Sequence, residues 1–231
     1  MIHKHSKKKI SIVTILLSAF LLLVSSTVVQ AAVNPLAKMP KKAGGVLNTG
    51  VTGIGWDFMT PEYSSKIKIS VKSYNPKIVK IKGYTAQRDR TGKYYAGYET
   101  TRVSPGTTKI KVTVTVDAKS YTKYCTYTVY KWENPFKTLK IGSKNYLSKF
   151  NKTGLVSLNE DISGKKFIFK LKPEFTLDVT NYAVKDTFFD STLKSGQYLP
   201  ENTYRVSIRV KSKKTKQLYT TQIYIPKNYP Y

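Results

Sequence analysis

The feature that most constrains this chain is the run Lys109-Ile110-Lys111-Val112-Thr113-Val114-Thr115-Val116, in which apolar and polar residues strictly alternate. A period of two is that of a β-strand with one buried and one wet face. The stretch from Ser120 to Tyr130 repeats it, with Cys125, Tyr127 and Val129 on one parity and Tyr124, Thr126, Thr128 and Tyr130 on the other. Between them Asp117-Ala118-Lys119 is short and turn-like, so the two runs are expected to form a hairpin. Val103 to Thr108, with Pro105-Gly106, leads into it.

The same period recurs along the chain. Ile67, Ile69 and Val71 alternate with Lys66, Lys68, Ser70 and Lys72; Asn75-Pro76 then signals a turn before a short strand, Ile78 to Ile81. Arg88 to Gly92 reads as another turn, followed by the Tyr-rich stretch Lys93 to Tyr98. Further strands are expected at Thr138 to Ile141, at Lys165 to Lys172, and at Phe175, Leu177 and Val179. A closing hairpin pairs Tyr204 to Val210 with Tyr219 to Ile225 through the basic loop Lys211 to Gln217. Beyond the first 31 residues, no 3.6-residue period is long enough to predict a helix.

Trp132-Glu133-Asn134-Pro135-Phe136 divides the alternating segments into two sets, because a proline after a terminal strand stops the ladder. The predicted fold is all-β: two consecutive immunoglobulin-like antiparallel β-sandwich domains after a cleaved signal peptide. The boundaries read as a signal peptide over 1–31, a linker over 32–46, a first domain over 47–134 and a second over 135–231. A joint at 132–136 and the 33–46 stretch are where a protease is expected to cut.

The signal peptide is read from a basic start (Lys4, Lys7, Lys8, Lys9), an apolar run from Ile10 to about Val24, and the small-residue exit Val29-Gln30-Ala31-Ala32. A membrane anchor is the competing reading, but Ser11, Thr14 and Ser18 interrupt the run and a processing site ends it. Cleavage is expected after Ala31 or Ala32. With no cysteine near that site and no apolar tail at the end, the processed chain is expected to be secreted or held at the cell surface non-covalently, with no stable membrane insertion.

Three pieces in order resemble the bacterial immunoglobulin-like (group 2) domain family over about residues 47–131. They are Ser73-Tyr74-Asn75-Pro76-Lys77-Ile78-Val79-Lys80-Ile81, Gly106-Thr107-Thr108-Lys109-Ile110-Lys111-Val112 and Tyr124-Cys125-Thr126-Tyr127-Thr128-Val129. Tyr127 stands where that family usually has an aliphatic residue. The resemblance implies an immunoglobulin-like sandwich for the first domain.

Charge is the second strong constraint. The formal net charge is +27, and removing the four lysines of the signal leaves +23. Residues 32–134 carry 18 basic and 6 acidic groups and residues 135–231 carry 18 and 7, so the excess is spread over both halves. Such a field favours anionic polymers and surfaces, and it exceeds what solubility requires. Strand parity points many cations outward: Lys66, Lys68, Lys72, Lys109, Lys111, Lys166, Lys170, Lys172, Arg205, Arg209 and Lys211. Candidate polymer-binding residues are Lys109, Lys111, Tyr124, Tyr130, Arg205, Arg209, Lys213, Lys214 and Lys216. The bland alternative is a solubilising exterior that opposes edge-to-edge aggregation.

Catalytic chemistry is narrowly bounded. His3 and His5, the two histidines, lie in the segment expected to be removed, which excludes Ser-His-Asp and Cys-His catalysis and His-ligated zinc. Cys125, the single cysteine, has core parity and reads as a small buried hydrophobe; an intermolecular disulfide or a reactive thiol is the alternative. The acid pairs Asp57 with Glu62, Glu160 with Asp161 and Asp186 with Asp190 read as solvated turns, and Asn159 to Gly164 lacks the order of a calcium loop. No metal or cofactor is expected. The leading reading is an attachment or adhesion module of a bacterial envelope that binds anionic cell-wall or surface polymers. A secreted polysaccharide- or nucleic-acid-binding protein is the alternative, and a carboxylate-dependent glycan hydrolase comes last.

Overall fold

A computed structural model describes residues 34–47, 53–59, 67–87, 94–116, 118–185 and 190–228. The expected signal peptide and its cleavage site lie outside the described residues. Among the described residues no helix is long and apolar enough to cross a membrane.

The first set of strands is β1 (Lys42–Val46), β2 (Gly53–Met59), β3 (Lys68–Ser73), β4 (Val79–Gln87), β5 (Tyr94–Arg102), β6 (Gly106–Val116) and β7 (Lys119–Tyr130). They form a four-stranded sheet in the order β1-β7-β6-β3 and a three-stranded sheet in the order β2-β5-β4. The alternation dictates the packing. Ile110, Val112 and Val114 from β6, and Cys125, Tyr127 and Val129 from β7, meet Val79, Ala96 and Tyr98 from the facing sheet in one core. The orders β7-β6-β3 and β2-β5-β4 are those of an immunoglobulin sandwich, in which the last two strands and the third form one sheet and the second, fifth and fourth the other.

The hairpin predicted at residues 110–130 forms with Val116 opposite Lys119. Its two-residue connection places Ala118 at φ 67°, a left-handed conformation. The Asn75 turn also forms. Its Oδ1 accepts from the Lys77 backbone N–H at 3.1 Å and its carbonyl from Ile78 at 3.0 Å.

The stretch read as a linker is partly structural. Lys42–Val46 is a strand that pairs in parallel with Thr126 to Tyr130 of β7, so the sandwich is not purely antiparallel. Parallel neighbours need a long crossover, and the intervening strands of the sandwich supply it. Leu36 and Met39, just before β1, are buried in the first core. Two adjacent glycines argued against a strand there, but contact with other atoms explains them. A Cβ on Gly44 would stand 2.5 Å from the Thr128 carbonyl oxygen, and one on Gly45 2.5 Å from the Arg102 guanidinium.

The second set comprises β8 (Phe136–Ile141), β9 (Lys144–Asn145), β10 (Leu155–Ser157), β11 (Phe167–Leu171), β12 (Phe175–Val184), β13 (Ser191–Thr192), β14 (Thr203–Ser212) and β15 (Leu218–Tyr224). A five-stranded sheet, β10-β15-β14-β12-β13, faces a three-stranded one, β11-β8-β9, and β10 pairs with β15 in parallel. Phe136, Leu139, Ile141 and Phe167 pack against Phe175, Val206, Ile208, Val210, Tyr219 and Ile223. Its three-stranded sheet does not repeat the order of the first sandwich. Leu177 stays in register with buried Val210 yet is 49% exposed. A bulge between Leu177 and Val179, with Asp178 as the extra residue, shifts Val179 off its expected core parity to stand opposite exposed Arg209, which Asp178 engages.

The proline-bearing segment at 132–136 is packed rather than loose. Trp132, Asn134, Pro135 and Phe136 are buried. The Trp132 indole N–H donates to the Phe150 carbonyl at 2.8 Å, and Asn134 Oδ1 accepts from the Phe136 N–H at 3.1 Å. Val46, the last residue of β1, belongs to the second core with Trp132. Residues Pro35–Tyr231 form one compact unit around these two cores.

Candidate polymer-binding face

The outer face of the β1-β7-β6-β3 sheet gathers four of the residues singled out from sequence. The four strands read KAGGV, KISVKS, GTTKIKVTVTV and KSYTKYCTYTVY, with no carboxylate among them. Register sets their wet residues in cross-strand rows. Lys72, Lys111 and Tyr124 share one row, and Lys109, Thr126 and Lys42 share the next. Further along are Ser70, Thr113 and Thr122, then Lys68, Thr115 and Ser120.

Hydroxyls pair across the strands within rows: Thr107 with Thr128 at 3.0 Å, Thr113 with Thr122 at 2.9 Å and Thr115 with Ser120 at 2.8 Å. Such cross-strand pairs stabilise the strand pairing. The lysines also meet rings. Lys109 Nζ lies 5.8 Å from the centroid of Tyr124 and Lys72 Nζ 5.6 Å from that of Tyr74, within cation–π range. Among the described residues no carboxylate forms an ion pair with Lys42, Lys68, Lys72, Lys109 or Lys111.

Tyr130 stands at the far end of this face, where the second sandwich adjoins it. There a cleft of about 470 Å³ is lined by Lys42, Gly44, Thr126, Thr128, Tyr130 and, from the β14–β15 hairpin, Gln217. The Tyr130 ring would be 3.2 Å from a Cβ on Gly44, so bare backbone sits beside the ring. Lys213, Lys214 and Lys216 are exposed in that same hairpin loop. Its turn is closed by Lys216 N–H to the Ser212 carbonyl at 2.9 Å, with Lys216 at φ 59°.

Arg205 and Arg209, also singled out from sequence, stand apart. Both point outward from β14, and each holds an acid: Arg205 with Asp190 at 2.5 Å, and Arg209 with Asp178. Their charge is locally balanced, unlike that of the β6 lysines. Lys42, Gly44 and Gln217 escaped sequence reasoning because they sit in segments that look like linker and loop. The threonines were visible as wet residues, but only the hairpin register reveals that their hydroxyls pair.

Cys125, Glu160 and Asp161 are each buried or held by neighbouring groups. Cys125 is fully buried, and burial raises its thiol pKa, which keeps it protonated and inert. Glu160 accepts from Lys144 Nζ at 2.6 Å and from the Tyr146 hydroxyl at 2.5 Å, which hold its carboxyl down at about 2. Asp161 accepts from the Ser163 N–H at 2.9 Å, and that bond lowers its pKa. Glu62 and Asp186 lie outside the described residues, so the pairs with Asp57 and Asp190 do too. Among the described residues no cluster of three His, Cys, Asp or Glu side chains could hold a metal.

No family model and no curated protein matches this chain. Among solved structures, it is similar to a cysteine protease inhibitor from Entamoeba histolytica at 14% identity, over 40% of this chain and 98% of that one, with a TM-score of 0.25. Cadherin-like domains 1 to 4 of zebrafish RET match at 7% identity, over 80% of this chain and 49% of that one, with a TM-score of 0.30. Domains 6–7 of the surface layer protein SbsC match at 8% identity, over 80% and 94%, with a TM-score of 0.28. This chain thus spans about half the length of the RET fragment. At such scores none of these likenesses carries an argument about function.

Proposed function

We propose that this chain is a secreted, non-catalytic module that attaches to anionic cell-wall or surface polymers, with the outer face of the β1-β7-β6-β3 sheet as its contact surface. One observation carries the reading: a whole sheet face presents Lys42, Lys68, Lys72, Lys109 and Lys111 while its four strands contain no carboxylate. Arg205 and Arg209 of the second sandwich, by contrast, are each paired with an acid. A rigid, uncompensated cationic surface attracts polyanions over a Debye length, and its binding is driven by counter-ion release.

Further support comes from the strand order of the first sandwich together with the three sequence pieces, which favour a bacterial immunoglobulin-like (group 2) domain. The second sandwich reads as a companion domain with its boundary at 132–136. Engagement of Glu160 by Lys144 and Tyr146 argues against its serving as the general acid of a glycan hydrolase, because a carboxylate held down at about 2 is a poor proton donor near neutrality. The test is fractionation: purified processed protein, added to bacterial wall preparations, should sediment with the wall at low salt and be released by a salt wash. Protein that stays in the supernatant at low salt would refute the proposal.

A further inference from the structure

We propose that the cleft between the β1–β7 edge and the β14–β15 hairpin is a glycan subsite that receives one ring of an acidic polysaccharide. The inference rests on the polyanion-binding reading above and names the polymer. Its volume of about 470 Å³ lies within the range of about 300–1,000 Å³ typical of small-molecule sites. The lining is not that of a plain electrostatic groove. Thr126 and Thr128 bring hydroxyls, each able to donate and accept, and the Gln217 amide does both as well. These suit the paired donor and acceptor character of sugar hydroxyls. Tyr130 supplies an aromatic wall, and Gly44, without a side chain, leaves backbone exposed beside it.

Lys42 lines the same cleft and supplies the counter-charge for a carboxylate, sulfate or phosphate on the bound ring. Lys109 lies in its row, two strands away across Thr126, so cations continue outward from the cleft at a spacing of about 10 Å. A polymer with one ring seated in the cleft would run along that row over the lysine face. A hydroxyl-bearing acidic chain fits both parts, whereas a purely electrostatic ligand uses the lysines alone.

Nucleic acid fits this surface less well. Single-strand binders stack successive bases on neighbouring aromatic side chains. Here Tyr124 and Tyr130 are six residues apart on one strand, about 20 Å, and cannot serve consecutive bases. The rings of Tyr124 and Tyr74 are each approached by a lysine ammonium.

The experiment compares the processed chain with Thr126→Trp, which fills the cleft from an exposed position, and with Gln217→Ala, which only trims it. Probes are a short polyuronate oligosaccharide, oligodeoxythymidylate and inorganic polyphosphate. Binding is measured at low salt and again at about 0.5 M salt, where the Debye length of about 4 Å removes the long-range field. The inference predicts that the oligouronate alone retains measurable affinity at high salt. Both variants should lose that affinity by about tenfold or more, as expected for losing one or two hydrogen bonds and a ring contact. Polyphosphate binding at low salt should be unchanged in both. Equal oligouronate binding by wild type and both variants at high salt overturns the subsite while leaving the polyanion reading intact. Oligodeoxythymidylate retained at high salt and lost in both variants overturns the choice of glycan. Failure of all three probes to bind wild type at low salt overturns the polyanion reading itself. An unchanged melting temperature for Gln217→Ala shows that its effect is not unfolding.

Discussion

Arg102 and Val46 are joined across the first sandwich: the Arg102 guanidinium donates to the Val46 carbonyl at 2.9 Å and, through Nε, to the Tyr127 hydroxyl at 3.3 Å. The same guanidinium lies against Gly45, where a Cβ would collide with it. One cation on β5 therefore holds β1 in place, and β1 carries Lys42 and Gly44 to the cleft. Arg102→Ala should cost about 1.5–3 kcal/mol, the range for hydrogen bonds to a charged group. Gly45→Ala should cost about 1–3 kcal/mol by overpacking. The pair should be less than additive in a denaturation cycle, because both changes disturb one contact.

Ala118 is the second test. At φ 67° in a two-residue hairpin it carries the steric strain of a left-handed residue. Ala118→Gly should stabilise the protein by about 0.5–1 kcal/mol, the relief of strain outweighing the greater entropy of glycine in the unfolded chain. A lower melting temperature in the variant would contradict the assigned turn.

The third test concerns packing at the joint between the two sandwiches, residues 132–136. Because Trp132 is buried and bonded to the Phe150 carbonyl, limited proteolysis should spare 132–136 in the native protein. Trp132→Phe leaves that buried carbonyl unpartnered, should cost about 1–3 kcal/mol, and should make the segment cleavable.

Acid should reveal Glu160. Its folded-state pKa of about 2 lies below the ordinary value of 4.5, so its contribution to stability is fully present above 4.5 and is lost as pH falls through about 2. The melting temperature of Glu160→Gln should therefore fall less steeply than wild type between those values. Added salt should blunt the difference, since the Lys144 partner is largely exposed.

Much of the fold was legible because period-two patterning is strong where one face is buried. The 110–130 hairpin, the Asn75 turn and the closing β14–β15 pair all follow from it. What escaped has physical causes. The glycines of β1 are explained by the atoms that approach them, which no local pattern reveals. Val179 lost its core parity to a bulge, and β9, β10 and β13 are too short to show a period. The site was half legible: Lys109, Lys111, Tyr124 and Tyr130 share a face as strand parity required. Arg205 and Arg209 also point outward, but Asp190 and Asp178 pair with them from segments distant in sequence. Gln217 joins the cleft only through the tertiary arrangement of the hairpin.

The central claim is that an uncompensated lysine face binds polyanions, and the salt dependence of that binding tests it most directly. Binding to a wall polyanion or polyphosphate is measured across a salt series for wild type, for Lys72→Gln/Lys109→Gln/Lys111→Gln, and for Lys166→Gln/Lys170→Gln/Lys172→Gln as a control of equal charge. The account predicts a linear fall of log affinity with log salt, with a slope shallower by about 0.7–0.9 for each face lysine that contacts a charge, and a nearly unchanged slope in the control. Equal slopes for the two triple variants would contradict it, because net charge rather than this face would then govern binding.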